Sequence, residues 1–127
     1  MIDAVTIEHD RANLRERWYR EGFYRHETLS AALDTSAQVH PNTRFCFHSE
    51  AGVLETNTAA ICREGRRIAG ALYTIGVRAG DVMCIQLPSW YETAVLYVAA
   101  IHAGATILPV VHTNGSVELD FILSQSR

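Results

Sequence analysis

Apolar residues recur along this chain in more than one rhythm. Between Arg11 and Tyr24, Leu14 and Trp18 stand four apart and share one face of a helix, with Tyr19, Phe23 and Tyr24 close by and Gly22 as the stop. Arg11, Arg15, Arg17, Arg20 and Arg25 run through the same stretch. Two readings follow from this mixture. In one, the helix docks its aromatics on the rest of the domain and leaves its arginines in water. In the other, the arginines and aromatics form a patch for a membrane surface or an anionic ligand. Glu16 and Glu21 dilute the charge and favour the docked reading.

Thr28 to Val39 predicts a second helix, capped by Thr28, with Leu29, Ala32, Leu33, Ser36 and Ala37 as a narrow apolar face and His40-Pro41 as its end. Arg44 to His48 alternates and is rich in β-formers, Glu50-Ala51-Gly52 is a turn, and Val53 to Thr56 returns as an antiparallel strand. Thr56-Asn57-Thr58 then supplies N-cap chemistry for a long helix. Its stripe is Ile61, Ile68, Leu72 and Ile75, with Arg63, Glu64, Arg66 and Arg67 opposite and Gly76 as the stop.

Beyond Gly76 the rhythm changes to continuous apolar runs. Val82 to Leu87 and Ala105 to Val111 read as strands buried on both faces. The helix between them starts at Ser89, which with Glu92 fits an S-x-x-E capping box, and ends near Ala103 before Gly104. Thr93 to Val111 carries no charged side chain, but His102, Gly104 and Pro109 interrupt it, so a helix followed by a strand is expected rather than a transmembrane span. Residues 81–111 thus form a βαβ unit with a right-handed crossover. Ser116 is placed to cap a last helix that uses Leu119, Ile122 and Leu123. The expected fold is α/β: one domain over residues 1–127, a partial, mostly parallel sheet with helices on both faces, and an N-terminal helical segment over residues 1–27.

Composition narrows the function. Hydrophobic residues at 48% and a net charge of −3 fit a globular chain and argue against a disordered segment or a nucleic-acid binder. All eleven basic residues are arginine, so a Schiff base or a P-loop lysine is excluded for this chain acting alone. Cys46, Cys62 and Cys84 lie far apart in apolar runs, without the spacing of a zinc site or a disulfide framework. They read as small buried hydrophobes in a reducing, cytoplasmic setting, and the N-terminus has no signal-peptide pattern. No metal ligands and no catalytic residue stand out.

In an open parallel sheet, ligands sit beyond the carboxyl ends of the strands, here Pro88-Ser89-Trp90 and His112-Thr113-Asn114. Trp90 and His112 are therefore the substrate-facing candidates, although His112 reads more readily as only a polar strand-end residue. Ser89 lacks the G-x-S-x-G context of a nucleophile. His102 falls in the last turn of its helix, where the dipole favours a cation without any catalytic role. His40, His48 and Asp34 show no triad spacing.

Several strings add a resemblance. Gly76-Val77-Arg78-Ala79-Gly80-Asp81-Val82, then Ile85-Gln86-Leu87-Pro88-Ser89, Ala99-Ala100-Ile101-His102-Ala103-Gly104-Ala105 and Leu108-Pro109-Val110 resemble the N-terminal part of adenylate-forming enzymes. With the opening Trp18-Tyr19-Arg20-Glu21-Gly22-Phe23-Tyr24 and Thr28-Leu29, the chain is most similar to AMP-forming fatty-acid and cyclohexanecarboxylate CoA ligases. The resemblance implies ATP-driven conversion of a carboxylic acid to an acyl-adenylate with release of pyrophosphate, followed by transfer to CoA. ATP, magnesium, CoA and a fatty or other carboxylic acid are the implied cofactor and partners. The family's lysine-bearing phosphate loop and catalytic lysine match no position here, so the chain resembles a truncated N-terminal portion, inactive alone. An exposed sheet edge would favour homo-oligomers. The alternatives are a standalone module binding an acyl group or nucleotide, and a structural half that complements a downstream chain.

Overall fold

The computed structural model describes residues 4–126. Helix α1 (Ala4–Arg20) is followed by α2 (Leu29–Val39), the strands β1 (Arg44–Ser49) and β2 (Gly52–Asn57), and helix α3 (Thr58–Thr74). Strand β3 (Val82–Ile85), helix α4 (Tyr91–Ala103), strand β4 (Thr106–Pro109) and helix α5 (Ser116–Gln125) complete the order.

Local chemistry sets most of these boundaries. Thr28 Oγ1 accepts from the Ala31 amide at 3.2 Å, and Asn57 Oδ1 accepts from the Ala60 amide at 2.9 Å, so both helices start on their N-cap side chains. Gly104 closes α4 in the left-handed region, with φ 72°. The turn from α3 to β3 is held by Asp81, whose Oδ2 accepts from the Arg78 amide at 2.8 Å, while the Arg78 guanidinium donates to the Tyr73 carbonyl and lies 4.1 Å over the Tyr73 ring.

Two expected caps do not form. The N-cap of α4 is Trp90, without a side-chain cap bond, and that of α5 is Gly115. At α4, the Pro88 carbonyl takes both the Trp90 amide and the Thr93 hydroxyl, and the helix starts two residues past Ser89.

The α/β class is present, with two small sheets. Strands β1 and β2 pair antiparallel, from Arg44 opposite Asn57 to Ser49 opposite Gly52. Strands β3 and β4 pair parallel, Val82 opposite Thr106 and Ile85 opposite Pro109, with α4 as the crossover. Parallel pairing therefore holds for the βαβ unit and not for the hairpin. The βαβ strands are shorter than their apolar runs and incompletely covered, with Val82 44% exposed. Pro109, which has no amide hydrogen, ends β4.

The core lies where α3 crosses α4. Ile61, Val95 and Val98 form its centre, with Leu33, Phe47, Ile68, Tyr91 and Ala94 packed around them. Ile75, expected on the apolar stripe, is 77% exposed because α3 has already ended at Thr74. Cys62 is buried, but Cys46 is exposed on β1, against the expectation for all three cysteines. Helix α5 buries none of its side chains, and Leu123 stays exposed.

Helix α1 also departs from expectation. Its aromatics Trp18 and Tyr19 both pack on Tyr24 of the turn that follows, and neither is among the side chains packed on the α3–α4 core. The Phe23 and Tyr24 amides both donate to the Trp18 carbonyl, folding residues 21–24 back against the helix.

Candidate functional site

Parallel pairing puts the ends of β3 and β4 on one side of the molecule. The Gln86 Nε2 joins the two following loops by donating to the Asn114 carbonyl at 2.8 Å. The strand-end loops expected to hold a ligand are thus adjacent, although Trp90 and His112 do not share a cavity. Trp90 lies on the wall of an open cleft of about 600 Å³. Phe47, Tyr91 and the hairpin turn from Ser49 to Leu54 form the rest of that wall, with Glu50 and Glu92 at its rim. Within that wall Phe47 and Tyr91 meet edge to face at 5.9 Å. His112 is exposed in the turn after β4 and is not part of the cleft.

This cleft is open and holds no nucleophile–base pair. Its lining offers aromatic surface and two carboxylates, with no cysteine, histidine or basic residue. Among the described residues no three His, Cys, Asp or Glu side chains converge on a metal position. With two carboxylates and no basic side chain in its lining, the cleft does not fit a magnesium–nucleotide group.

A second cluster was not legible in the sequence. Asp34 Oδ1 on α2 accepts from Arg66 Nε at 3.0 Å and Nη2 at 2.8 Å, across 32 residues. His102 Nε2 on α4 lies 3.5 Å from the same oxygen, buried and without a hydrogen bond. The distance permits charge attraction if the imidazole is protonated, but the geometry makes no hydrogen bond. Cys62 sits beside this group, only 2% exposed. Burial pushes its thiol above the ordinary range, against the opposing pull of Arg66, and the Asp34 carboxylate pushes it the same way as burial. A thiol held protonated is a poor nucleophile. The cluster ties α2 to α3 and α4, and its chemistry is structural.

The comparisons with known proteins agree with this architecture. The sequence signature of the AMP-binding enzyme family matches residues 33–127, and the chain belongs to that family of adenylate-forming enzymes. It is 30% identical over 101 residues to an oxalate–CoA ligase from Arabidopsis thaliana, covering 79% of this chain and 19% of that protein. It is also 30% identical over 60 residues to the medium-chain fatty-acid–CoA ligase of Escherichia coli K12, covering 47% of this chain and 11% of that one. Among solved structures, the N-terminal domain of FACL13 from Mycobacterium tuberculosis superposes with a TM-score of 0.70 at 24% identity, over 79% of this chain and 25% of that domain. The chain spans about a fifth or less of the length of these two curated relatives.

The motifs that carried the resemblance have visible structural roles. Gly76 and Gly80 take φ 104° and 93°, and Asp81 closes the turn between them and β3. Gly104 has its cap geometry at close quarters, where a Cβ would meet Ala79 Cβ at 3.0 Å.

Proposed function

We propose that this chain forms the N-terminal scaffold of an ATP-dependent, AMP-forming ligase that joins a carboxylic acid, a fatty acid in the first instance, to CoA. The overall reaction makes an acyl-adenylate and pyrophosphate from the acid and ATP, then transfers the acyl group to the CoA thiol. The observation that carries this reading is the family match over residues 33–127, supported by the oxalate–CoA and medium-chain fatty-acid–CoA ligases to which the chain is similar.

Within that reaction the chain's own part is to position. Helices α3 and α4 and the β3–β4 pair present Trp90 and the strand-end loops on one side, beside which a larger catalytic unit would sit. Trp90 is the residue we assign to substrate contact, with His112 as a candidate only at an interface made outside the cleft. ATP, magnesium and CoA are assigned to the complete assembly, because the cleft beside Trp90 has no basic side chain in its lining to meet a triphosphate. The described residues act as one α/β unit, with the helical segment that includes Ala4–Arg20 at its N-terminal side and 81–111 as the βαβ element. The three free thiols suit a reducing, cytoplasmic compartment.

The test is complementation. A related ligase lacking the region equivalent to residues 33–127 is co-expressed with this chain, and thioester formation is followed with a panel of carboxylic acids. Restored activity that falls when Trp90 is changed to Ala supports the assignment. No activity from a demonstrably formed complex contradicts it.

A further inference from the structure

Helix α1 and the turn after it carry a basic, aromatic surface that the core does not cover. Arg11, Ala12, Leu14, Arg15, Trp18 and Tyr24 line a shallow groove of about 320 Å³. Trp18 and Tyr24 continue it into a second hollow of about 310 Å³, walled on its far side by Phe23. No carboxylate lines either hollow among the described residues. Arg11 and Arg15 are one helical turn apart, so their guanidinium groups leave the same face. Glu21 is turned to Arg17, at 3.2 Å.

The aromatics beside these arginines form an ordered array. Trp18 and Tyr24 meet edge to face at 5.1 Å, Tyr19 and Tyr24 at 5.6 Å, and Tyr19 stacks on His26 at 4.3 Å. Yet Phe23 is 74% exposed. An array held in place by its own contacts, with the fully apolar Phe23 ring left in water beside it, is suited to a surface that is anionic at one level and apolar at the next.

We propose that this face docks on an anionic lipid surface, with Arg11 and Arg15 at the level of the lipid phosphates and Trp18, Phe23 and Tyr24 in the zone between headgroups and acyl chains. Charge complementarity selects the occupant: a free phosphate would satisfy the arginines and leave the aromatics in water, whereas a bilayer face meets both. The attachment lies along the surface, since no helix among the described residues is long and apolar enough to cross a membrane. The chain as a whole carries −3, so attraction is confined to this patch and weakens as salt rises. The proposal stands independently of the ligase assignment.

The test is partitioning of the full chain onto extruded vesicles, read by co-sedimentation and by Trp18 fluorescence in a Trp90→Phe background. Binding is expected on equimolar phosphatidylcholine and phosphatidylglycerol, and at least tenfold weaker on phosphatidylcholine alone. Arg11→Ala and Arg15→Ala should each weaken it about fivefold, while the paired lysine substitutions retain it. Phe23→Ser should remove the fluorescence blue shift. These side chains are solvent-facing, so circular dichroism should show every variant folded. Equal binding to both vesicle types, or binding that the arginine variants leave unchanged, overturns the proposal. So does light scattering that finds a lipid-free dimer dissociated by Phe23→Ser, because the face then belongs to a second copy of the chain.

Discussion

Gly65 is where one absent side chain sets the spacing of two helices. It is buried in α3, and a Cβ there would collide with Val98, lying 2.6 Å from its Cβ and 3.3 Å from the Ala99 amide nitrogen. Gly65→Ala should therefore destabilise the fold by about 1–3 kcal/mol from overpacking, of which better helix propensity returns at most ~1 kcal/mol. Thermal melting followed by circular dichroism measures the difference, and an unchanged or raised Tm would show that the crossing can relax. The cysteines give a second prediction at this scale. Native-state thiol labelling should modify Cys46 first, Cys84 more slowly and Cys62 only on unfolding. The Cys62 thiol is raised by burial, so its contribution to stability is complete below the ordinary thiol pKa and declines as pH climbs from there through the raised value. Cys62→Ala should flatten that alkaline decline. Treating each cysteine as a small hydrophobe suits Cys62 and misses Cys46, because the alternation of a hairpin strand does not reveal which of its faces another element will cover.

Helix ends were the most legible elements, for a local reason: a cap is made within a few residues of the helix it closes. Thr28, Asn57, Gly76 and Gly104 all act where the sequence places them. The Ser89–Glu92 box fails because Pro88 already bends the chain and its carbonyl recruits Thr93 instead. Trp90 was legible as a strand-end residue, but its partners in the cleft, Phe47 and the hairpin turn, come from β1 and β2 and carry no local mark. The Asp34–Arg66–His102 cluster was illegible for the same reason, being assembled across three helices. If that cluster fastens α2, Asp34→Ala should cost about 0.5–1.5 kcal/mol, the range of a partly exposed charge-assisted bond. Hydrogen exchange should then quicken in α2 ahead of α3 and α4. Uniform quickening across the three helices would mean that α2 is held by Leu33 packing instead.

At the scale of the molecule, the core is small and the sheets are narrow. Strands β3 and β4 each keep one edge unpaired among the described residues, and Val82 and Val111 are exposed on or beside them. Unpaired edges with apolar side chains favour association. Light scattering of the purified chain should show self-association that grows with concentration and is reduced by Val82→Lys. A monodisperse monomer with a high, cooperative melting transition would contradict this. The α/β class was legible because turn glycines and strand-end prolines are spaced by backbone geometry, and the family only through the resemblance of the strings between Gly76 and Val110 to known enzymes. The split into two sheets was not, since pairing partners lie outside any local window.

The proposed division of labour gives this chain the part of a scaffold whose chemistry depends on groups supplied by the rest of the ligase. The most direct measurement is continuous pyrophosphate release by the purified chain with ATP, magnesium, CoA and a panel of carboxylic acids from oxalate to medium-chain fatty acids. We predict no release above the protein-free background with any acid. Acid-dependent pyrophosphate release accompanied by stoichiometric acyl-CoA would contradict the account.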